Sequence, residues 1–207
     1  MPLHYEGNVS IHKIPGMTKF DNNGYLVICP STLDCIVIDA PGEPEKLLKE
    51  VEGLNVKSIL ITHGHSDHIA GLKEIKEFTG ALVGIGGPDA HNILPDEPDF
   101  YLTDQQEIQF GKHKLTALFT PGHTPGHQSV LVNLPKTGHM LFTGDACYTG
   151  DHWCDKCLPG LVSSSSDAAA SVKKLRRVAK EHDAKVVWGH DPVSWPGWKK
   201  APMFYYD

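Results

Sequence analysis

The chain has 207 residues, 40% of them hydrophobic and 21% charged, a balance that excludes a disordered or fibrous protein and suits one domain with a buried core. A formal charge of −6 argues against a nucleic-acid partner, which usually leaves a basic footprint. No apolar run approaches the ~18 residues of a membrane span, the first ten residues lack the order of a signal peptide, and five cysteines without framework spacing point to a reducing, cytoplasmic setting.

Taken in chain order, short β-rich apolar runs at Gly24–Cys29 and Asp34–Asp39 predict two strands. Glu43–Leu54 opens just after Pro41-Gly42 and repeats its leucines at helical spacing. A strand at Ser58–Thr62 follows, and then a helix at Ile69–Phe78 with Leu72, Ile75 and Phe78 on one face. Further strands are expected at Ala81–Ile85, Lys114–Phe119, Gln128–Asn133, Met140–Thr143 and Lys185–Trp188. The longest helix runs from about Asp167 to Lys180, with Ser163–Ser166 as candidate N-caps and Ala168, Val172, Leu175 and Ala179 as its buried stripe. Its basic residues, Lys173, Lys174, Arg176, Arg177 and Lys180, read as a solvated outer face rather than an anion site. Strands followed by helices, with hairpins in the second half, predict an α/β fold of mixed sheets with helices packed outside.

The chain holds thirteen histidines, and their positions carry the functional reading. Thr62-His63-Gly64-His65-Ser66-Asp67-His68 joins the strand ending near Ile61 to the helix starting near Ile69. Residues two apart on an extended segment point the same way, so His63 and His65 can grip one ion together. Asp67 and His68 sit where the chain turns into a helix, whose positive end favours a carboxylate. Thr120-Pro121-Gly122-His123-Thr124-Pro125-Gly126-His127 follows another strand on a rigid Pro/Gly loop. Thr143-Gly144-Asp145 and Trp188-Gly189-His190-Asp191 complete the pattern, each at a strand end. Singly these last segments are weak signals. Together they place imidazoles and carboxylates at the ends of four strands, a composition suited to two transition-metal ions.

In these ordered motifs, together with Val37-Ile38-Asp39, the whole chain resembles the metallo-β-lactamase superfamily. The resemblance implies a four-layer αββα sandwich in which residues 1–207 form a single domain, with the metals at one edge between the sheets. It implies that His63, His65 and His123 hold a first metal, that Asp67, His68 and His190 hold a second, and that Asp145 bridges both. Asp39 matches a supporting aspartate that orients the ligand histidines, and His127 a packing or supporting role. The Asp-His form of the cluster disfavours penicillin-type substrates.

Within the superfamily, Pro121–Val130, Gly144–Tyr148, Ser171–Leu175 leading to Gly189-His190-Asp191, and the tail from Trp195 to Tyr206 resemble the N-acyl homoserine lactonases. Tyr148 matches a tyrosine that contacts the lactone carbonyl there. The middle segment, Gly80–Asp104, is shorter than lactonases usually carry, which bears on the acyl-chain pocket. The first half resembles hydroxyacylglutathione hydrolases about equally well. The resemblance therefore implies a hydrolase in which a metal-bridging hydroxide opens a lactone or related ester of a small-molecule substrate. Asp67 is expected to relay a proton, Tyr148 to polarise the carbonyl, and two divalent ions to be bound, zinc first with iron or manganese also suited. A thioester hydrolase, a mononuclear-iron persulfide dioxygenase and a non-enzymatic metal-stabilised scaffold are the alternatives. Cys154-Asp155-Lys156-Cys157 falls outside the family pattern and reads as ordinary loop cysteines, a clasp or part of the site. Cys29 and Cys35 read as core, and Cys147 as a thiol facing the site.

Overall fold

Strand β2 (Gly24–Cys29) shows how the layers arise. Its side chains alternate: Val27 and Cys29 enter one apolar cluster, Leu26 and Ile28 another. Strand β3 (Asp34–Ile38) splits in the same way, with Ile36 and Ile38 on one side and Cys35 and Val37 on the other. Strands buried on both faces read as unbroken apolar runs, which is why these two are legible in the sequence.

The computed structural model describes residues 9–19, 22–193 and 197. The first sheet orders its six strands as β1 (Ser10–Ile14), β2, β3, β4 (Asn55–Ile61), β5 (Leu82–Gly86) and β6 (Phe100–Leu102). The second has β7 (Gln106–Phe110), β8 (His113–Phe119), β9 (Gln128–Leu134), β10 (Gly138–Phe142) and β11 (Lys185–Val187) in that spatial order. Both are mixed: β3 to β6 pair in parallel, as do β10 and β11, and the remaining neighbours are antiparallel.

Three clusters separate four layers. Ile36, Ile38 and Leu60 of the first sheet meet Leu115, Val130, Val132 and Met140 of the second in the central core. On the outer face of the first sheet, Leu47 and Val51 of α1 (Pro44–Val51) and Leu72 and Ile75 of α3 (Leu72–Thr79) pack on Val37, Ile59 and Ile61. On the outer face of the second sheet, the short α4 (Gly150–Trp153) precedes α5 (Ser165–Glu181), whose Leu175 and Val178 pack on Leu118, Leu131 and Leu141. This is the expected αββα sandwich.

Several local expectations are corrected. The helix expected over Ile69–Phe78 is two helices, a short α2 (Ser66–Ile69) and α3, separated at Ala70-Gly71. The Gly71 amide donates to the Ala40 carbonyl at 2.9 Å, and a Cβ there would lie 2.4 Å from the Pro41 carbonyl oxygen. Backbone-to-backbone contact breaks the helix. Phe78 is 61% exposed rather than buried, because a spacing of three drifts ~60° per step around a helix and carries it off the face of Leu72. Strands β1, β6 and β7 lie outside the strands expected from the sequence. β1 is SIHKI, buried throughout although His12 and Lys13 read as polar, and β6 has only three residues.

Helix α5 begins with Ser164, whose side chain accepts the Asp167 amide, as the serine run predicts. Its buried face includes Ser171 and Val178, with Ala179 partly buried. The basic face is more engaged than a solvated surface: Lys174 pairs with Asp104 and donates to the Phe119 carbonyl, and Arg176 pairs with Asp155. The tail likeness from Trp195 to Tyr206 lies outside the described residues, Gly197 excepted.

Candidate metal centre

All four ligand-bearing segments emerge at one edge of the sandwich, where the Gln128 amide donates to the Thr62 carbonyl across the sheets at 2.8 Å. His63 and His65 leave the end of β4 with their rings on one side, as period-two geometry requires. His63 Nε2 lies 3.1 Å from His65 Nδ1, and His123 Nε2 lies 3.2 Å from the former and 3.0 Å from the latter. Three imidazole nitrogens around one tetrahedral zinc at its usual bond length would be about 3.3 Å apart. The donor set and its spacing therefore fit a divalent ion. Two of the three outward ring nitrogens have partners: His63 Nδ1 faces Thr62 Oγ1 at 3.1 Å, and His123 Nδ1–H donates to the Leu161 carbonyl at 2.8 Å. Such contacts select the tautomer that leaves the inward nitrogen free. Burial, with the neighbouring His68, keeps His63 neutral by lowering its pKa well below the usual value.

A second group of donors adjoins the first: His63, His68 and Asp145 also bring their ligand atoms within 4.8 Å of one another. Asp39, which directly follows β3 with φ 60, accepts from the Thr62 amide at 2.7 Å and from His68 Nδ1–H at 2.9 Å. A left-handed aspartate is uncommon, and here it turns the carboxylate back onto both partners. Burial alone would lower the His68 pKa, but the Asp39 carboxylate raises it to about 9. His68 Nε2 points toward Asp145, whose Oδ1 lies 4.0 Å from it and 3.5 Å from His190 Nε2. Asp145 Oδ2 lies 3.4 Å from His123 Nε2. One carboxylate thus turns an oxygen toward each donor group.

Asp145 sits on the 3₁₀ turn Gly144–Ala146 after β10. Its amide donates to His127 Nε2 at 3.0 Å, so His127 carries its proton on Nδ1, 2.9 Å from Thr120 Oγ1. Burial holds the His127 pKa down to about 3, and the ring acts as a neutral strut beneath Asp145. Burial would raise the Asp145 carboxyl, yet its hydrogen bond with His190 and the charge of His68 hold it well below the usual carboxylate range. Cys147 does not face the site. Its thiol is buried, within 3.5 Å of the Thr149 carbonyl, and burial pushes its pKa up to about 12.

Over the donors opens a cavity of about 520 Å³, lined by His65, Ser66, Asp67, His123, Asp145, Tyr148, Leu161 and His190. Its size suits a small organic ligand. Tyr148 stacks edge-on to His190 at 4.9 Å between ring centroids, and its hydroxyl lies 3.3 Å from His123 Nδ1. That nitrogen's proton goes to Leu161, which leaves the tyrosine O–H for Asp145 or a ligand. Burial and Asp145 raise the phenol's pKa, so it stays protonated at neutral pH. Cys154 and Cys157 are exposed free thiols, and neither lines this cavity.

Asn22 and Leu161 are participants with no signal in the sequence. Asn22 Nδ2 donates to Asp67 Oδ2 at 3.0 Å and lies 2.9 Å from His68 Nε2. Leu161 holds His123 through its backbone carbonyl, a contact that any residue type could make.

A family model described as the metallo-beta-lactamase superfamily matches residues 17–190, a span that includes every donor described above. The chain belongs to the metallo-beta-lactamase superfamily. Among curated members it is 56% identical over 96 residues to an N-acyl homoserine lactonase, AttM, of Rhizobium radiobacter, covering 46% of this chain and 36% of that protein. It is 36% identical over 128 residues to a hydroxyacylglutathione hydrolase of Cereibacter sphaeroides, covering 61% of this chain and 48% of that protein. Each match thus spans less than half of the relative. A solved quorum-quenching N-acyl homoserine lactone hydrolase superposes with a TM-score of 0.80 at 20% identity, covering 95% of this chain and 98% of the other, which shows a common fold.

Proposed function

We propose that this chain is a dinuclear metal-dependent hydrolase that opens a lactone of the N-acyl homoserine lactone type. The observation that carries the reading is Asp145, whose two carboxylate oxygens face two adjoining groups of donors. His63, His65 and His123 would hold the first ion, Asp67, His68 and His190 the second, and Asp145 would serve both. Zinc suits this imidazole and carboxylate set. Divalent ions bound here would supply a hydroxide nucleophile at neutral pH and polarise the substrate carbonyl.

The chain's own residues then divide the remaining work. Tyr148, protonated and lining the cavity, donates to the carbonyl as negative charge develops on its oxygen. Asp67, on the cavity wall and held by Asn22, moves a proton toward the leaving alkoxide. Leu161, 68% exposed on the cavity rim, offers an apolar surface for a hydrocarbon chain. The identity to AttM supports a lactone over a thioester, and the identity to the hydroxyacylglutathione hydrolase supports the thioester as second reading.

The test pairs elemental analysis of protein purified without chelator with a panel of acyl homoserine lactones, S-lactoylglutathione and β-lactams. Two metal equivalents per chain are expected, with lactones turned over faster than the thioester and β-lactams hardly at all. Faster turnover of S-lactoylglutathione would move the assignment to a thioesterase. A reproducible single iron would overturn the dinuclear reading.

A further inference from the structure

The 3₁₀ segment Gly87–Ile93, which follows β5, reaches the same edge of the sandwich and inserts one carboxylate behind the first donor group. Asp89 is 1% exposed. Its Oδ2 accepts from the Gly64 amide at 3.0 Å and from the Thr124 hydroxyl at 2.6 Å, and its Oδ1 accepts from the Gly126 amide at 2.8 Å. Gly64 separates His63 from His65, while Thr124 and Gly126 lie between His123 and His127. A single buried carboxylate therefore ties together the two loops that carry all three imidazoles of the first group.

The backbones fit because the contact positions lack side chains. A Cβ on Gly64 would fall 2.4 Å from Asn92 Nδ2, and one on Gly126 would fall 2.7 Å from Asp89 Cγ. Asn92 Nδ2 in turn donates to the Asp89 carbonyl at 3.1 Å, which anchors the segment itself. Asp39 makes a comparable set of contacts, but only to Thr62 and His68. The two buried carboxylates thus divide the site between them.

We propose that Asp89 is a positioning residue for the first metal position, fixing the separation of the His63–His65 pair from His123. The proposal rests on the metal-centre reading above. Charge-assisted hydrogen bonds are short and directional, so three of them, two from backbone amides and one from the Thr124 hydroxyl, define the gap between the loops more closely than packing alone. Contacts that orient metal ligands typically govern affinity by about 10–100-fold.

Asp89→Asn tests this, since an amide has one acceptor oxygen where the carboxylate has two. Its NH₂ must face either the Gly126 amide or the Gly64 and Thr124 donors, and that side loses its acceptor. Zinc titration of the full chain against a chromophoric chelator should show one of two equivalents weakened about 10–100-fold and the other unchanged. Thr124→Val, which removes a single donor, should weaken the same equivalent by a smaller factor, and it keeps the test open if Asp89→Asn folds poorly. Cobalt substitution adds a spectroscopic check: only the bands of the first position should change. Equal zinc affinity in wild type and both variants would overturn the role of Asp89 while leaving the metal centre intact. Equal weakening of both equivalents, with matching loss of stability in the metal-free protein, would also overturn it by reducing Asp89 to a general fold contact. Failure of wild type to bind zinc at all would overturn the metal-centre reading and this proposal with it.

Discussion

Asp145 and Tyr148 stand three positions apart and face one cavity, yet their replacement separates two kinds of contribution. Asp145→Ala removes both oxygens that face the donor groups, so a full metal equivalent and turnover should be lost together. The melting temperature of the protein purified with metal should fall as well, because binding free energy contributes to folding free energy. Full metal content and rate in that variant would dismiss Asp145 as a ligand. Tyr148→Phe keeps the ring against His190 and removes only the donor. Losing an oxyanion donor costs roughly 10²–10³ in kcat where it acts alone; with an ion sharing the charge, a drop on the order of tenfold is expected. Metal content should stay at the wild-type level, and an unaltered rate would return Tyr148 to an ordinary half-buried side chain. At this scale the sequence displays those residues whose types recur in a dense local pattern, such as His63, His65, Asp67 and His68. It hides Asn22 and Asp89, common residues brought to the site from distant segments, and the Leu161 carbonyl, which has no residue identity.

The elements around the site are shaped by backbone contacts that hydrophobic periodicity does not encode. Strands β2 and β3 are legible because burial on both faces leaves continuous apolar runs, and β4 and β9 through the apolar stretches Ile59–Ile61 and Val130–Val132, whereas β1 carries His12 and Lys13 into the interior and β6 is too short to show a period. The break between α2 and α3 is set by Gly71 against the Pro41 carbonyl, a contact across thirty residues of chain. Helix α5 holds the His123 loop in the same manner. The Ser171 hydroxyl donates to the Pro121 carbonyl at 2.7 Å, and the Ser163 and Ser164 amides both donate to the Gly122 carbonyl. Gly122 has φ 132, and a Cβ there would lie 2.3 Å from the Ala168 amide nitrogen, which belongs to the helix and cannot yield. Gly122→Ala should therefore displace the loop, costing about 2–4 kcal/mol from combined overpacking and backbone strain. Denaturant unfolding of the metal-free variant measures that cost, and weakened metal binding should accompany it. A variant with wild-type stability would show that the loop has slack.

Across the whole molecule, the central core and the two helical layers converge on an edge that concentrates ionisable groups in low dielectric, which makes stability depend on pH in a definite way. In the metal-free protein His127 is held down to about pKa 3 by burial, and His63 and His123 are lowered by the same cause. Unfolding releases these rings to ordinary values near 6.5, so below that pH the unfolded chain takes up protons that the folded chain refuses. Stability must then fall as pH drops from about 6.5 toward 3, by as much as ~1.4 kcal/mol per pH unit for each ring. His68 has the opposite sign. Its folded pKa, raised to about 9 against burial by the carboxylate of Asp39, contributes stability that is complete below pH 6.5 and disappears as pH rises to 9. The metal-free protein should accordingly be most stable near neutrality and lose stability on both sides. Urea unfolding of chelator-treated protein between pH 5 and 9 checks this, and Asp39→Asn should remove mainly the alkaline limb. With metal bound the ligand imidazoles are already deprotonated, so the alkaline limb set by His68 should flatten and acid should act instead by displacing metal. A metal-free stability that climbs steadily from pH 6.5 to 9 would mean that Asp39 does not hold a charged His68.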